Sequence, residues 1–480
     1  MLEDTKRKYI SWPVIALMDF VTVIGFDDII YNFQNQGLAV VGDWVLLLIL
    51  FVVPYELIVG QLGSAFPEEG GGLSSWIRHT SGDKFGYIAA WSYWVVSLPY
   101  LVDVANSTVV AIGWLINGDN SMEDKMSNSM FALTTAAIFV VFILFQHHFS
   151  NSLQVLSIIG GGAMFIITVL YVIMSFVYLG KGGQVHTHPF TFKSFIPTFD
   201  MKFLMSLGLL IFAMNGSEFV APYVNEMKDG KRDFPKAMYM LAIMTGFLTI
   251  FGSFSLGIFF NAHHLPHDLK MNGSYYAFQE MGQEFGMGKF FLYVFIITQA
   301  LYMLAQLAML VDGSARIFLS DTAKQYLPKQ LTKLDKNGLP TNGYWLTIFI
   351  CTVIMVLSAT LPNMNDIFNQ LLNLNGIISP YVTALIFWAF IKIRQNPENF
   401  PSDYVFIKNK KFAIFVGWWC FILTIVAATF GILPIDAKFG SGTWWHMLIL
   451  NIVEPLFLIA LGIILPIIAK HQQNKEKAGK

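Results

Sequence analysis

The chain has 480 residues, 55% of them hydrophobic and 13% charged, with a mean hydropathy of +0.56 and a formal net charge of −1. A soluble domain carries roughly a quarter charged residues, so a water-soluble fold is excluded and the chain reads as a polytopic membrane protein. Cys351 and Cys420 both sit in apolar runs, which gives neither a disulfide framework nor a metal-ligand pattern.

In chain order, the N-terminus MLEDTKRKYISWP is short and basic. The apolar run after it is too long, and too polar at its centre, to be a cleaved signal peptide, so it reads as a retained first span. Twelve spans are expected, at about 11–34, 43–65, 85–116, 130–149, 153–179, 201–226, 235–261, 286–315, 343–361, 366–393, 411–434 and 444–469. The whole forms one transmembrane domain, divisible into 11–179, 201–393 and 411–469, with a disordered tail over 470–480. Twelve spans with both termini inside place 23 of the 30 Lys and Arg in cytoplasmic loops. The outer loops then hold Lys125, Lys181, Lys193, Lys202, Lys270, Lys289 and Lys438. This distribution obeys the positive-inside rule and predicts a multi-pass protein of a bacterial cell membrane with cytoplasmic ends.

Two spans carry interruptions. Span 1 has Thr22-Val23-Ile24-Gly25-Phe26-Asp27-Asp28 where its middle falls, and span 6 has Ala213-Met214-Asn215-Gly216-Ser217-Glu218. A carboxylate or an Asn-Gly pair at membrane depth is tolerated where it lines a cavity or finds a partner. The two defects are five spans apart, so the halves containing them have opposite orientation, the pointer to an inverted repeat with a binding site between its halves.

Between spans 2 and 3, Pro67-Glu68-Glu69-Gly70-Gly71-Gly72 lacks the Lys-Ser/Thr of a phosphate loop and reads as a re-entry turn before a short helix. Gly160-Gly161-Gly162 in span 5 predicts close helix approach. In the outer loop 263–288, Pro266 separates His263 from His267, against a metal site, and Asn272-Gly273-Ser274 is a formal glycosylation sequon. Glu454, beside Pro455 in span 12, predicts a helix–helix or dimer contact, and a homodimer is one expectation.

Four stretches resemble the amino acid–polyamine–organocation superfamily of permeases, most nearly its glutamate/γ-aminobutyrate antiporter family. They are VIGFDDIIYNFQNQGLA in span 1, PEEGGGLSSW after span 2, VNEMKDGKRDFPKAM after span 6 and LPKQLTKLDKNGLPTN before span 9, and the likeness covers about residues 10–470. The resemblance implies an all-α fold of two inverted five-helix repeats (spans 1–5 and 6–10) with interrupted helices 1 and 6, plus two extra helices. It implies exchange of an amino acid for another, or for its decarboxylated amine, by alternating access. It places Phe212 at an aromatic that closes over substrate, and Gly216 and Glu218 on the family's glycine and glutamate. Proton symporters of the superfamily carry a lysine in span 5 that this chain lacks, which favours exchange.

Ile24, Gly25 and Phe26, with Ala213, Met214 and Asn215, are expected to bind through backbone: free N–H groups suit a carboxylate and free C=O groups an ammonium. Asp27 and Asp28 either attract a cationic substrate or pair with a neighbouring helix. Glu218 bridges spans or contacts substrate. Trp94 in span 3 reads as packing or gate, and Tyr302 and Gln306 belong to a polar stripe on span 8 that needs a polar neighbour. Asn373, Asn375, Ser379 and Tyr381, in a span 10 loosened by Gly376 and Pro380, offer a second wall or a gate. No cofactor and no nucleic acid are expected; the partners are the lipid bilayer and a small amino acid or amine. A proton-coupled symporter and a non-transporting receptor are the other readings. An enzyme is disfavoured: there are no paired acids with a nucleophile, no metal-ligand spacing and no nucleotide motif.

Overall fold

The computed structural model describes residues 9–146, 152–266, 268–333, 341–361, 363–435 and 437–478. Lys6, Arg7, Lys8, His267, Lys336, the end of span 4 and part of the motif before span 9 lie outside the described residues. Eleven helices among them are long and apolar enough to cross a membrane. They are span 2 (Ala39–Ala65), span 3 (Asp83–Asn117), span 4 (Asn128–Gln146), span 5 (Ser152–Gly180), span 6 (Met201–Glu226), span 7 (Gly230–Phe259), span 8 (Phe290–Leu319), span 9 (Thr341–Ser358), span 10 (Met364–Gln395), span 11 (Lys410–Gly431) and span 12 (Gly442–Lys477). Span 1 is the twelfth and escapes that count because two short helices, Trp12–Val23 and Phe26–Gln36, share it.

The breaks fall where the sequence places them. Span 1 straightens at Ile24 (φ −153°) and Gly25 (φ −115°), and its second helix begins with Asp28 reaching back to the Gly25 N–H at 2.7 Å. Extended angles of this kind suit any residue. Gly25 is needed for space: a Cβ there would stand 2.6 Å from an Asp27 carboxylate oxygen and 3.0 Å from the Tyr302 ring. Span 6 runs as an α-helix to Phe212, unwinds through Gly216 at φ +123°, and resumes as a 3-10 helix over Ser217–Glu226. Here positive φ does demand glycine. Spans 2 and 7, which come after the broken spans in each half, both widen into π turns, at Leu48–Val52 and Leu248–Gly252. The inverted repeat is thus marked by paired backbone irregularities in two pairs of spans.

Burial grades outward from the breaks. The apolar window of span 3 is 89% buried and that of span 6 is 78%, against 17% for span 12, which leaves the last span peripheral. Span 5 packs tightly by its glycines. A Cβ on Gly160 would come 2.7 Å from the Leu301 carbonyl of span 8, and one on Gly161 2.8 Å from Val21 of span 1, whereas Gly162 faces open space. After span 2 the chain turns at Gly72 (φ +52°) into a short helix, Leu73–Ser81. The Gly71 N–H and the Arg78 guanidinium tie this turn to Asp321 at the end of span 8, at 2.6 and 2.8 Å.

Three expectations are corrected. The outer loop 263–288 contains a helix, Leu269–Glu284, packed against span 1 and span 8. Its sequon residue Asn272 is buried and accepts from the Trp114 indole at 2.8 Å, which closes it to glycosylation in the folded protein. Residues 470–478, read as a disordered tail, continue as helix, and Gln472 accepts from the Lys329 N–H at 3.0 Å. Span 10 is a continuous helix through Gly376 and Pro380. Gly376 does not loosen it but lets it approach span 6, where a Cβ would fall 2.6 Å from Leu209. Glu454 makes a helix–helix contact, accepting from Gln370 of span 10 at 2.9 Å.

Candidate functional site

A cavity of about 30 Å³ lies between the two broken helices. Thr22 and Val23 from span 1 form one wall with Asp28; Phe212, Asn215, Gly216 and Glu218 from span 6 form another. Span 3 adds Tyr93, Ser97 and Tyr100, and span 10 adds Asn375, Ser379 and Thr383. The last turn of a helix leaves carbonyls unpaired within it and carries partial negative charge. Thr22 and Val23 therefore give the cavity an acceptor-rich end that suits an ammonium group.

The donors are arranged differently from expectation. The Gly25 N–H, a natural carboxylate seat at the start of a helix, is held by the chain's own Asp28. The Gly216 and Ser217 N–H groups both point at the Tyr55 hydroxyl, at 2.9 and 3.0 Å, and that hydroxyl donates in turn to Glu218. Ser217 donates to Glu56 of span 2 at 2.6 Å. Glu218 is therefore both a bridge to span 2 and a cavity-wall residue. Asn215 donates to Ser379 at 3.0 Å and to Thr383 at 2.9 Å, fastening the unwound segment of span 6 to span 10.

Two layers cover the cavity. On the face opposite the termini, Phe212 packs edge-on against Tyr100, with ring centroids 5.2 Å apart, and Gln306 donates to the Tyr100 hydroxyl at 2.7 Å. Above them the Lys270 ammonium sits 3.6 Å from Asp103 and 4.6 Å from the centre of the Tyr31 ring, with side-chain exposures of 5% for Lys270 and 6% for Asp103. Asp27 and Asp28 are within its electrostatic reach. The sequence places Lys270 in an open loop; the helix Leu269–Glu284 carries it inward instead. Asp28 is thereby partnered by the helix end it caps, and both acids of span 1 lie within reach of this buried lysine, which favours the helix-neighbour reading over the cationic-substrate one. On the terminal face, Arg316 of span 8 pairs with Asp312 and Glu226, both at 2.7 Å, and stacks on Tyr223. Tyr344 of span 9 donates to the same Asp312.

Of the residues singled out in the sequence, Phe212, Asn215, Gly216 and Glu218 line the cavity, as do Asp28 of span 1 and Asn375 and Ser379 of span 10. Ile24, Gly25, Phe26, Asp27, Ala213 and Met214 belong to the two breaks but not to the wall. Tyr302 supports the span 1 break, its hydroxyl 3.4 Å from the Phe20 carbonyl, and Gln306 acts through Tyr100. Trp94 is displaced from the site: its indole donates to Thr347 at 3.1 Å and its ring stacks on Phe318. A helix face cannot be assigned from aromatic spacing alone, and this one turns to span 9. Tyr55 was missed altogether; a tyrosine next to Glu56 in mid-span was the available signal. Tyr93 and Thr383 were also unmarked.

The family model for amino acid permeases matches residues 10–474. The chain is 37% identical over 477 residues to the aspartate/glutamate permease AcaP of Lactococcus lactis subsp. cremoris, covering 98% of this chain and 97% of that one. It is 25% identical to the probable agmatine/putrescine antiporter AguD of Lactococcus lactis subsp. lactis, covering 84% and 83%. It is 22% identical to a glutamate/gamma-aminobutyrate antiporter of the same organism, covering 92% and 87%. The fold is similar to the crystal structure of MhsT in complex with L-phenylalanine, with a TM-score of 0.62 at 14% identity, over 89% of this chain and all of that one.

Proposed function

This chain belongs to the amino acid permease family, and from that premise we propose that it carries an acidic amino acid, aspartate or glutamate, across the membrane by alternating access, in exchange for a second amino acid or its decarboxylated amine. The observation that carries the reading is the cavity between two broken helices, acceptor-rich at the span 1 helix end and bounded by layers of side chains on both faces. Rocking of one repeat against the other would open these layers alternately. The acidic class draws on the relative named an aspartate/glutamate permease. It also draws on Lys270, which compensates the acids of span 1. The exchange mode draws on span 5, whose Gly160 and Gly161 leave no room for a lysine against spans 8 and 1. The weight of positive charge in the loops supports cytoplasmic termini.

Counterflow in proteoliposomes tests this. Vesicles loaded with unlabelled aspartate, glutamate, γ-aminobutyrate or alanine, or with nothing, receive labelled aspartate or glutamate. Uptake only into loaded vesicles is the expected result. Uptake into empty vesicles driven by an imposed proton gradient would replace exchange with symport, and labelled alanine entering where aspartate does not would overturn the acidic class.

A further inference from the structure

Asn375 is set apart from every other amide around the cavity. It is 1% exposed and lines the wall, and neither its side-chain nitrogen nor its oxygen has a protein partner. Its neighbours are all engaged: Asn373 donates to Asn451 at 2.8 Å, and Asn215 is bonded to Ser379 and Thr383. A buried amide with no partner is destabilising, and rotation of the helix cannot relieve it. Gly376, the next residue, is pressed against span 6, its carbonyl 2.6 Å from where a Cβ of Gly208 would stand. That contact fixes the rotation of span 10 and holds position 375 toward the cavity.

The donor inventory says what such an amide is for. The Gly25 N–H is taken by Asp28, the Gly216 and Ser217 N–H groups by Tyr55, and the Asn215 amide by span 10. Acceptors, in contrast, are plentiful at the opposite wall: the last carbonyls of the first helix, Asp28 and Glu218. An acidic substrate with its ammonium at those acceptors has two carboxylates to direct toward the remaining donors. An anionic side chain there needs N–H groups that are not already committed. We propose that the Asn375 side-chain amide is the specificity-determining contact for the side-chain carboxylate of the substrate, donating its N–H groups to that carboxylate. This rests on the acidic-substrate reading above.

The test is initial-rate uptake into proteoliposomes loaded with unlabelled glutamate, with KM and kcat measured for aspartate, glutamate, asparagine and alanine in the wild type, Asn375→Ala and Asn375→Asp. Loss of a hydrogen bond to a charged group weakens binding by roughly 10- to 100-fold. Asn375→Ala should therefore raise KM for aspartate and glutamate by roughly that factor, raise it much less for alanine, and leave kcat within about threefold. Asn375→Asp should reject the acidic substrates more strongly still, by like charge, and improve asparagine relative to aspartate. An equal change across all four substrates, or unchanged aspartate kinetics in Asn375→Ala, overturns the proposal. If Asn375→Ala does not elute as a folded protein, Asn375→Asp carries the same comparison. A wild type that carries alanine but not aspartate overturns the substrate class itself, and the anion role of Asn375 with it; a wild type that carries aspartate isolates the fault at Asn375.

Discussion

Tyr55 shows how one side chain holds an unwound membrane helix together. Its hydroxyl accepts from two N–H groups freed at Gly216 and Ser217 and donates to Glu218, so three groups that hydrocarbon cannot solvate are satisfied by one oxygen. Tyr55→Phe keeps the ring, stacked on Phe51 at 5.5 Å, and removes the oxygen. Substrate counterflow should fall at least about tenfold, because each buried group left unpaired is destabilising by about 1–3 kcal/mol; wild-type flux in this variant would show that the break is held by something else. Lys270 and Asp103 make the complementary case. Lys270→Met strands a buried carboxylate and should lower stability by about 3–5 kcal/mol, while adding Asp103→Asn should recover part of the loss, because it removes the carboxylate nearest the lysine and leaves Asp27 and Asp28 without their cation. Unfolding midpoints in detergent for the two variants check this, and equal losses would sink it. At this scale the sequence was partly legible. Gly216, Glu218 and Phe212 stood out as polar or small residues in an apolar run, or beside one. Tyr55 did not, and Asn375 was legible only as a wall residue, because which groups other helices have already satisfied decides the role of each.

Among the elements, the breaks in spans 1 and 6 were readable because glycine, acids and asparagine interrupt long apolar runs, and neither helix survives them intact. The π turns of spans 2 and 7 were not readable: LILFV and LTIFG contain nothing that distinguishes a five-residue turn from an α turn. Span 5 supplies a graded test of packing. Gly160→Ala drives a methyl onto the Leu301 carbonyl and should lower stability by about 1–3 kcal/mol, whereas Gly162→Ala meets open space and should change it by less than about 0.5 kcal/mol. Similar losses in the two variants, read from unfolding midpoints, would argue that span 5 is not packed as described. The helix Leu269–Glu284 escaped the sequence reading because its composition is polar and its first turn carries a lysine. It is buried because Asp103, Tyr31 and Trp114 receive its polar groups.

For the whole molecule, the distribution of Lys and Arg predicts an orientation that any membrane-impermeant label can read. Cys351 and Cys420 are buried and give a silent background. In intact cells, a cysteine at Lys438→Cys should react with an impermeant maleimide and one at Glu398→Cys should not, since both positions are exposed but lie at opposite ends of span 11. The reverse pattern would invert the topology. The cavity is assembled from spans 1, 3, 6 and 10, whose contributing residues are separated by up to several hundred positions in the chain.

The sequence by itself determined the membrane class, the twelve spans, the interrupted helices and the family, because each follows from composition, periodicity or a local motif. Only the tertiary structure decided who satisfies whom. It gave the Gly25 N–H to Asp28, the span 6 N–H groups to Tyr55 and the Lys270 ammonium to Asp103, turned Trp94 away to span 9, and left the Asn375 amide facing the cavity with both ends unpaired. The physical reason is that hydrogen-bond partnership in a membrane core is settled between helices distant in sequence, where no local pattern records it.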